Sequence, residues 1–321
     1  MPCVFALSIA RRSSLLRLIS LSFLLLLTAA PIAAQTIDDG VMLQKGTLFA
    51  GWVYTHDSWD RYWEGTLERD NGNIGTLTTQ SNALFGNYAV TDRFNVIATA
   101  PYVWTRASQG VLAGMQGFQD ITVAAKYSLF EKEAGTLGSL RAIAVASAGL
   151  PLTDYTPDFA PLSIGSGSKR VSGRFTLNTH AESGLYLNGS TAYTWRGGVT
   201  LDRPYYYTDG ELFFTDEVDM PNVLDYVVSG GYMKRGVMAT ANFSQQHTLG
   251  GGDIRRQDMP FVSNRMNFSR VSAMVMAPIP KLHRLSFEAA WGYTVRGRNV
   301  GQAMTLTGGL LYTLPFEGRR P

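Results

Sequence analysis

The sequence predicts an all-β chain, a transmembrane antiparallel up-and-down β-barrel of about twelve strands, with ten to fourteen possible. Three observations predict it. Apolar residues recur at every second position in stretches of about ten residues, the length a strand needs to cross a bilayer. After residue 34 there is no run of 18 apolar residues, so no helix is available to span lipid. Aromatic residues collect at the ends of the apolar faces, where amphipathic rings sit at headgroup level. Backbone polar groups cannot stay unpaired in hydrocarbon, so such strands have to close on themselves. A soluble sandwich also alternates. The aromatic ends, and the alternation of short with long connections, favour the barrel.

Composition excludes other classes. Charged residues are 17% of the 321, against roughly 25% in ordinary soluble chains. That is too few for a disordered chain or one that coats nucleic acid. The single cysteine, Cys3, allows neither a disulfide framework nor a multi-cysteine metal site.

The first element is an address. Residues 1–34 read as a cleaved secretory signal, with a basic region at Arg11, Arg12 and Arg17 and an apolar stretch from Leu18 to Leu27. The small residues Thr28-Ala29-Ala30-Pro31-Ile32-Ala33-Ala34 place cleavage before Gln35. The signal holds three of the 28 basic side chains and no acidic one, so its removal leaves 25 basic against 25 acidic. The formal +3 and the thiol both leave with it, and no basic partner surface is expected. Residues 35–45 then read as a short periplasmic segment, 46–316 as the barrel and 317–321 as a tail.

The strands follow in order, at roughly 46–56, 78–90, 94–106, 118–130, 139–150, 170–180, 185–196, 222–233, 236–247, 261–277, 284–296 and 302–316. In the third, Phe94, Val96, Ala98, Ala100, Tyr102 and Trp104 oppose Asn95, Thr99 and Thr105. In the fourth, Ile121, Val123, Ala125, Tyr127 and Leu129 alternate with Asp120, Thr122, Ala124, Lys126 and Ser128. In the sixth, Val171, Phe175 and Leu177 alternate with Ser172, Arg174, Thr176 and Asn178. The seventh sets Leu185, Leu187, Tyr193 and Trp195 against Tyr186, Asn188, Ser190 and Arg196. The eleventh sets Phe287, Trp291, Tyr293 and Val295 against Ser286, Glu288, Thr294 and Arg296. The alternation is weakest near 46–56, 78–90, 222–233 and 261–277. Short turns near 91–93, 131–138, 181–184, 233–236 and 278–283 would face the periplasm, and longer connections would face outward. The last strand carries Met304, Leu306, Leu310, Tyr312, Leu314 and Phe316 on one face. It resembles the terminal signal read by the barrel assembly machinery, although five residues follow the aromatic. A secretory signal with such strands predicts a Gram-negative outer membrane, with lipid and lipopolysaccharide around the barrel.

Three segments carry a family resemblance. Gly86-Asn87-Tyr88-Ala89-Val90-Thr91-Asp92-Arg93-Phe94, followed by Ala100-Pro101-Tyr102-Val103, forms one hairpin. Gly117-Phe118-Gln119-Asp120-Ile121-Thr122-Val123-Ala124-Ala125-Lys126-Tyr127 forms a strand. Gly149-Leu150-Pro151-Leu152-Thr153-Asp154 begins a loop, with Leu152-Thr153 where Thr-Gly is usual. Together these resemble an outer-membrane family named for the meta-pathway of phenol degradation. The resemblance implies a transporter-type barrel for small hydrophobic or aromatic solutes. It is similar in general design to long-chain fatty-acid channels, which carry a sizeable N-terminal hatch. Only about eleven residues precede the first strand here, so no large plug is expected.

Candidate site residues fall in two groups. Asp120, Lys126, Arg174, Arg196, Glu288 and Arg296 fall on the non-apolar strand faces. Facing lipid at mid-depth would cost an Arg or Lys about 2–4 kcal/mol, so all are placed in the lumen. There they either shape a polar conduit or form an ion-pair network that fills it. The second group is aromatic, Trp59, Tyr62 and Trp63 in one loop and Tyr205, Tyr206, Tyr207, Phe213 and Phe214 in another. These rings are read as an entrance that collects an apolar solute, as a loop core over the mouth, or as neighbours of a weak divalent site formed by the loop acids. His56, His180, His247 and His283 are dispersed, so no enzyme, cofactor or resident metal is expected. A monomer with no nucleic-acid partner completes the expectation.

Overall fold

The structure is a computed structural model that describes residues 36–135, 138–255, 260–282 and 284–315. The expected signal, Phe316, the tail and His283 lie outside the described residues.

Twelve long strands form the wall: β1 (Thr47–Trp59), β2 (Leu77–Thr91), β3 (Phe94–Ala107), β4 (Asp120–Glu133), β5 (Ser139–Pro151) and β6 (Arg170–His180), then β7 (Leu185–Arg196), β8 (Val223–Lys234), β9 (Val237–Thr248), β10 (Asn267–Pro278), β11 (Leu285–Arg298) and β12 (Met304–Pro315). Each pairs antiparallel with its sequence neighbours, and β1 pairs with β12 from Thr47↔Pro315 to Ser58↔Met304. The sheet is therefore closed and has no unpaired edge to shield. A short extra strand, Gln116–Phe118, adds to the outer part of β3. Minor hairpins at 61–70 and 206–213 stand on the loop end.

The tenth strand differs from expectation. It begins at Asn267, and Phe261 and Val262 are instead buried among loop residues. Five more apolar or aromatic loop side chains, among them Leu201, Tyr206 and Met220, give these two a place to bury away from the wall.

The period of two decides which side chains meet lipid. Trp52, Leu84 and Leu310 stand side by side on the outer face, all exposed. One residue further, Gly51, Phe85 and Leu311 turn inward. Exposed rings gather at both ends of the outer face. Tyr193, Trp195 and Trp291 lie toward the loops, and Tyr88, Tyr127, Tyr232 and Tyr312 lie toward the turns. This double girdle is the surface a bilayer selects.

The N-terminal segment departs from expectation most. Residues 36–43 do not lie outside the barrel but run into it. The chain leaves the turn end at Lys45, whose amide donates to Asp92 Oδ1 at 2.8 Å. It then packs Ile37 and Met42 on Ile97, Ala124, Ile143 and Val145. Leu43 packs on Phe49, Met238, Met276 and Leu311. Gly40 passes so close to Asn178 that any Cβ there would collide with the Asn178 side chain.

Candidate transport lumen and its mouth

The inner wall has two characters. Phe49, Val53, Ala83, Phe85, Ile97 and Ala124 make an apolar side on β1–β4. Asn178, Asn188, Ser229, Thr240, Asn242, Ser244 and Ser272, with Met233, Met238 and Met274, make a polar and sulfur-rich side on β6–β10. The N-terminal strap runs between them and leaves a cavity of about 370 Å³ against the apolar side and one of about 260 Å³ against the polar side. Thr36 and Glu288 line both, so Glu288 stands where the two spaces meet.

One buried ion pair docks the strap. Lys126 has a side chain at 0% exposure, and its Nζ lies 2.7 Å from Asp39 Oδ1. The same ammonium donates to the Thr36 carbonyl at 2.9 Å. Asn188 Nδ2 donates to the Asp38 carbonyl at 3.0 Å, and Arg141 Nη1 to the Gly40 carbonyl at 3.2 Å. Lys126 thus finds its counter-ion on the strap and not on the wall. A lysine buried without one would carry a large desolvation penalty.

The other lumen candidates divide. Asp120 is buried at the loop end, where Oδ2 accepts from Arg170 at 2.9 Å and Oδ1 accepts from the Tyr155 hydroxyl at 2.6 Å. Burial first, then Asp120, push the pKa of that loop phenol up. Arg174 donates to Ser190 Oγ at 2.8 Å, and Arg196 lies within the field of Arg170 and Asp225. Arg296 does not belong with them. A β-bulge pairs Ser269 with Arg296 but Arg270 with Thr294, so Val295 is an extra residue and the facing slips by one. Arg296 is exposed as a result. Arg270 takes the inner position, hydrogen-bonded to Thr305, which in turn donates to Asp57.

The aromatic loops also divide. Trp63 is buried, and Trp59 and Tyr62 pair at 6.3 Å. Trp63 fills the space above Gly297 and Trp59 that above Gly301, so neither position has room for a Cβ. These rings are packing at the β11–β12 turn. In the second loop Tyr206 stacks between Phe213 and Phe261, with ring centres at 5.0 and 5.1 Å. Tyr205, Tyr207 and Phe214 remain exposed, and Phe213 is on the edge of that group.

A polar hub ties these loops to the wall. Arg298 grips Asp253 with Nε at 2.8 Å and Nη2 at 2.6 Å, and Asn299 Nδ2 donates to the same carboxylate at 2.7 Å. Asn299 Oδ1 accepts the amides of Gly65 and Ile254. Hydrogen bonding from Arg298, then from Asn299, holds the Asp253 carboxyl at about 2 against an ordinary 3.8. A depressed acid stabilises the folded form above its ordinary value, and the contribution is lost as pH falls through the depressed one. Amide exchange in 249–255 is therefore expected to rise more than the intrinsic rate as pH drops from about 4 to about 2. The Asp253→Asn variant should lack that pH-dependent step. Parallel profiles in the two proteins would contradict the hub.

Fold and lumen define the class: a closed antiparallel barrel with an apolar outside, girdled at both ends, and an interior that holds two cavities. The chain belongs to the family described as "Putative MetA-pathway of phenol degradation", whose model matches residues 50–252. The outer membrane channel from Pseudomonas putida F1 has the same fold at a TM-score of 0.68 and 14% identity, over 87% of this chain and 100% of that one. The NanC porin is a more distant likeness, at a TM-score of 0.46 and 9% identity over 82% of this chain and 100% of that one. No curated protein matches the chain.

Proposed function

We propose that the chain is a bacterial outer-membrane channel that passes small hydrophobic or aromatic molecules without an energy source. The observation that carries this reading is the lumen itself. It is closed to lipid all round, and one wall is apolar enough to hold a ring or a short chain. Cavities of about 260 and 370 Å³, one just below and one just inside the ~300–1,000 Å³ of ordinary ligand sites, suit single-ring solutes. The family description and the printed name of the Pseudomonas putida protein, an outer membrane channel, support the same reading. The lumen charges Asp120, Lys126, Arg174, Arg196 and Glu288 are proposed to set its selectivity, with Glu288 at the junction of the two spaces. The chain is expected to be exported by its signal, to insert through the barrel assembly machinery, to meet lipopolysaccharide at its loop end and to work as a monomer.

A second reading is a non-conducting structural barrel, favoured by the strap that crosses the lumen. Uptake separates the two. A strain lacking the chain should take up a panel of radiolabelled monoaromatic solutes more slowly at low external concentration, and plasmid-borne protein should restore the rate. Equal uptake across the panel would favour the structural barrel.

A further inference from the structure

Outside the lumen, four loops enclose a cleft of about 470 Å³ at the mouth, and its residues are separate from those of both lumen cavities. Phe261 forms a rigid wall, since its ring is clamped against Tyr206 and is buried. Leu112, Phe159 and the half-exposed Tyr207 supply further apolar surface. Asp158 stands among them with a side chain only 8% exposed. Its Oδ2 lies 2.5 Å from Arg203 Nη2. Its Oδ1 is closed off from solvent, and among the described residues none donates a hydrogen bond to it.

A buried carboxylate oxygen without a donor is costly, because nothing replaces the water it has lost. Folded chains keep such an atom where something else supplies the donor. Arg203 pairs with Asp158 itself, while Asp202 also lines the cleft, so the commitment to a neutral donor at Oδ1 is set against a cation by the amine probe below. The walls ask for an apolar body of one ring or similar size. We propose that this cleft binds a small apolar alcohol, its ring lying against Phe261 and Tyr207 and its hydroxyl donating to Asp158 Oδ1 after a slight rotation of the carboxylate. The site goes beyond the transport reading and does not rest on it, since binding at the mouth and passage through the lumen are separately measurable.

Three probes with one body test it on the folded, detergent-solubilised chain: 4-methylbenzyl alcohol, its methyl ether and 4-methylbenzylamine. Saturation-transfer NMR and titration should show the alcohol binding at least about tenfold tighter than the ether, as one lost hydrogen bond to a charged acceptor implies. Tyr207→Ala leaves a half-exposed ring's place empty without touching the ion pair, and should weaken the alcohol several-fold. Asp158→Leu should bring the alcohol down to the level of the ether. If Asp158→Leu does not fold, the Tyr207→Ala and probe comparisons still decide. Equal affinity for alcohol and ether, or unchanged binding in Tyr207→Ala, overturns the site, and tighter binding of the amine overturns the neutral-donor assignment. Bilayer conductance of the unaltered chain, measured on the same preparation, tests the channel reading by itself, so failure here is distinguishable from failure of that reading.

Discussion

Phe243→Arg should abolish assembly of the barrel, whereas Asn242→Arg, its neighbour in the chain, should fold. The two positions lie at the same depth in β9 and differ only in the face they present. Phe243 is exposed on the outer side, and Asn242 lines the polar wall of the lumen. An arginine facing hydrocarbon near mid-depth costs about 2–4 kcal/mol, a large share of the roughly 5–15 kcal/mol that separates folded from unfolded chains. In the lumen the same guanidinium meets water and polar side chains. The measurement is heat-modifiable migration after refolding into lipid. Fast-migrating folded species should persist for Asn242→Arg and fall to a small fraction for Phe243→Arg. Equal yields would mean that the facing is misassigned.

Lys126→Met should release the strap and leave the barrel standing. It removes the ammonium that Asp39 and the Thr36 carbonyl share. Removing one partner of a buried pair costs about 3–5 kcal/mol when the remaining charge has nowhere to go. Here Asp39 has somewhere to go, because the side-chain ties left on the strap are the single hydrogen bonds from Asn188 and Arg141, and once they part the segment can swing into water. The loss therefore appears as an undocked strap rather than an unfolded wall. Amide exchange over 37–43 should accelerate by an order of magnitude or more, while exchange in β9 and β10 stays the same. Adding Asp39→Asn to Lys126→Met should recover part of the protection, since the uncompensated charge is gone and the apolar contacts of Ile37, Met42 and Leu43 remain. Unchanged exchange in Lys126→Met would show that apolar packing alone docks the strap.

The wall was legible in the sequence because lipid imposes a rule with a period of two, and each strand has to obey it. Twelve strands and most of their ends follow from that rule, including the four segments with the weakest alternation. The rule fails where the backbone breaks step. At Val295 a bulge adds one residue, and Arg296 passes to the outer face near the loop end, where a charge is cheap. Bulges leave no reliable trace in composition. The lumen was legible as a set of charges but not as a set of pairs. Lys126 reads as an inward lysine, yet its partner Asp39 is 87 residues away in a segment with no periodicity. Ile37, Met42 and Leu43 were the available signal, since three apolar residues are out of place in a segment bathed by solvent. Arg170 and Arg270 share the parity of the inward residues and were readable on the same grounds as Arg174. The loops were legible only as aromatic and acidic. Their side chains meet through contacts with no period, such as Trp63 over Gly297 and Phe261 on Tyr206, so the expected entrance separates into packing, core and a few exposed rings.

The strap is docked across a lumen proposed to be a conduit, and its removal is expected to widen that conduit. Single-channel conductance of the folded chain in a planar bilayer, beside the same chain without residues 36–43, tests it most directly. Small steps are expected for the intact protein and steps several-fold larger once the strap is gone, because the two cavities then merge across the space it occupied. A strap-deleted barrel that is heat-modifiable, and so folded, yet conducts no more than the intact one would contradict the claim.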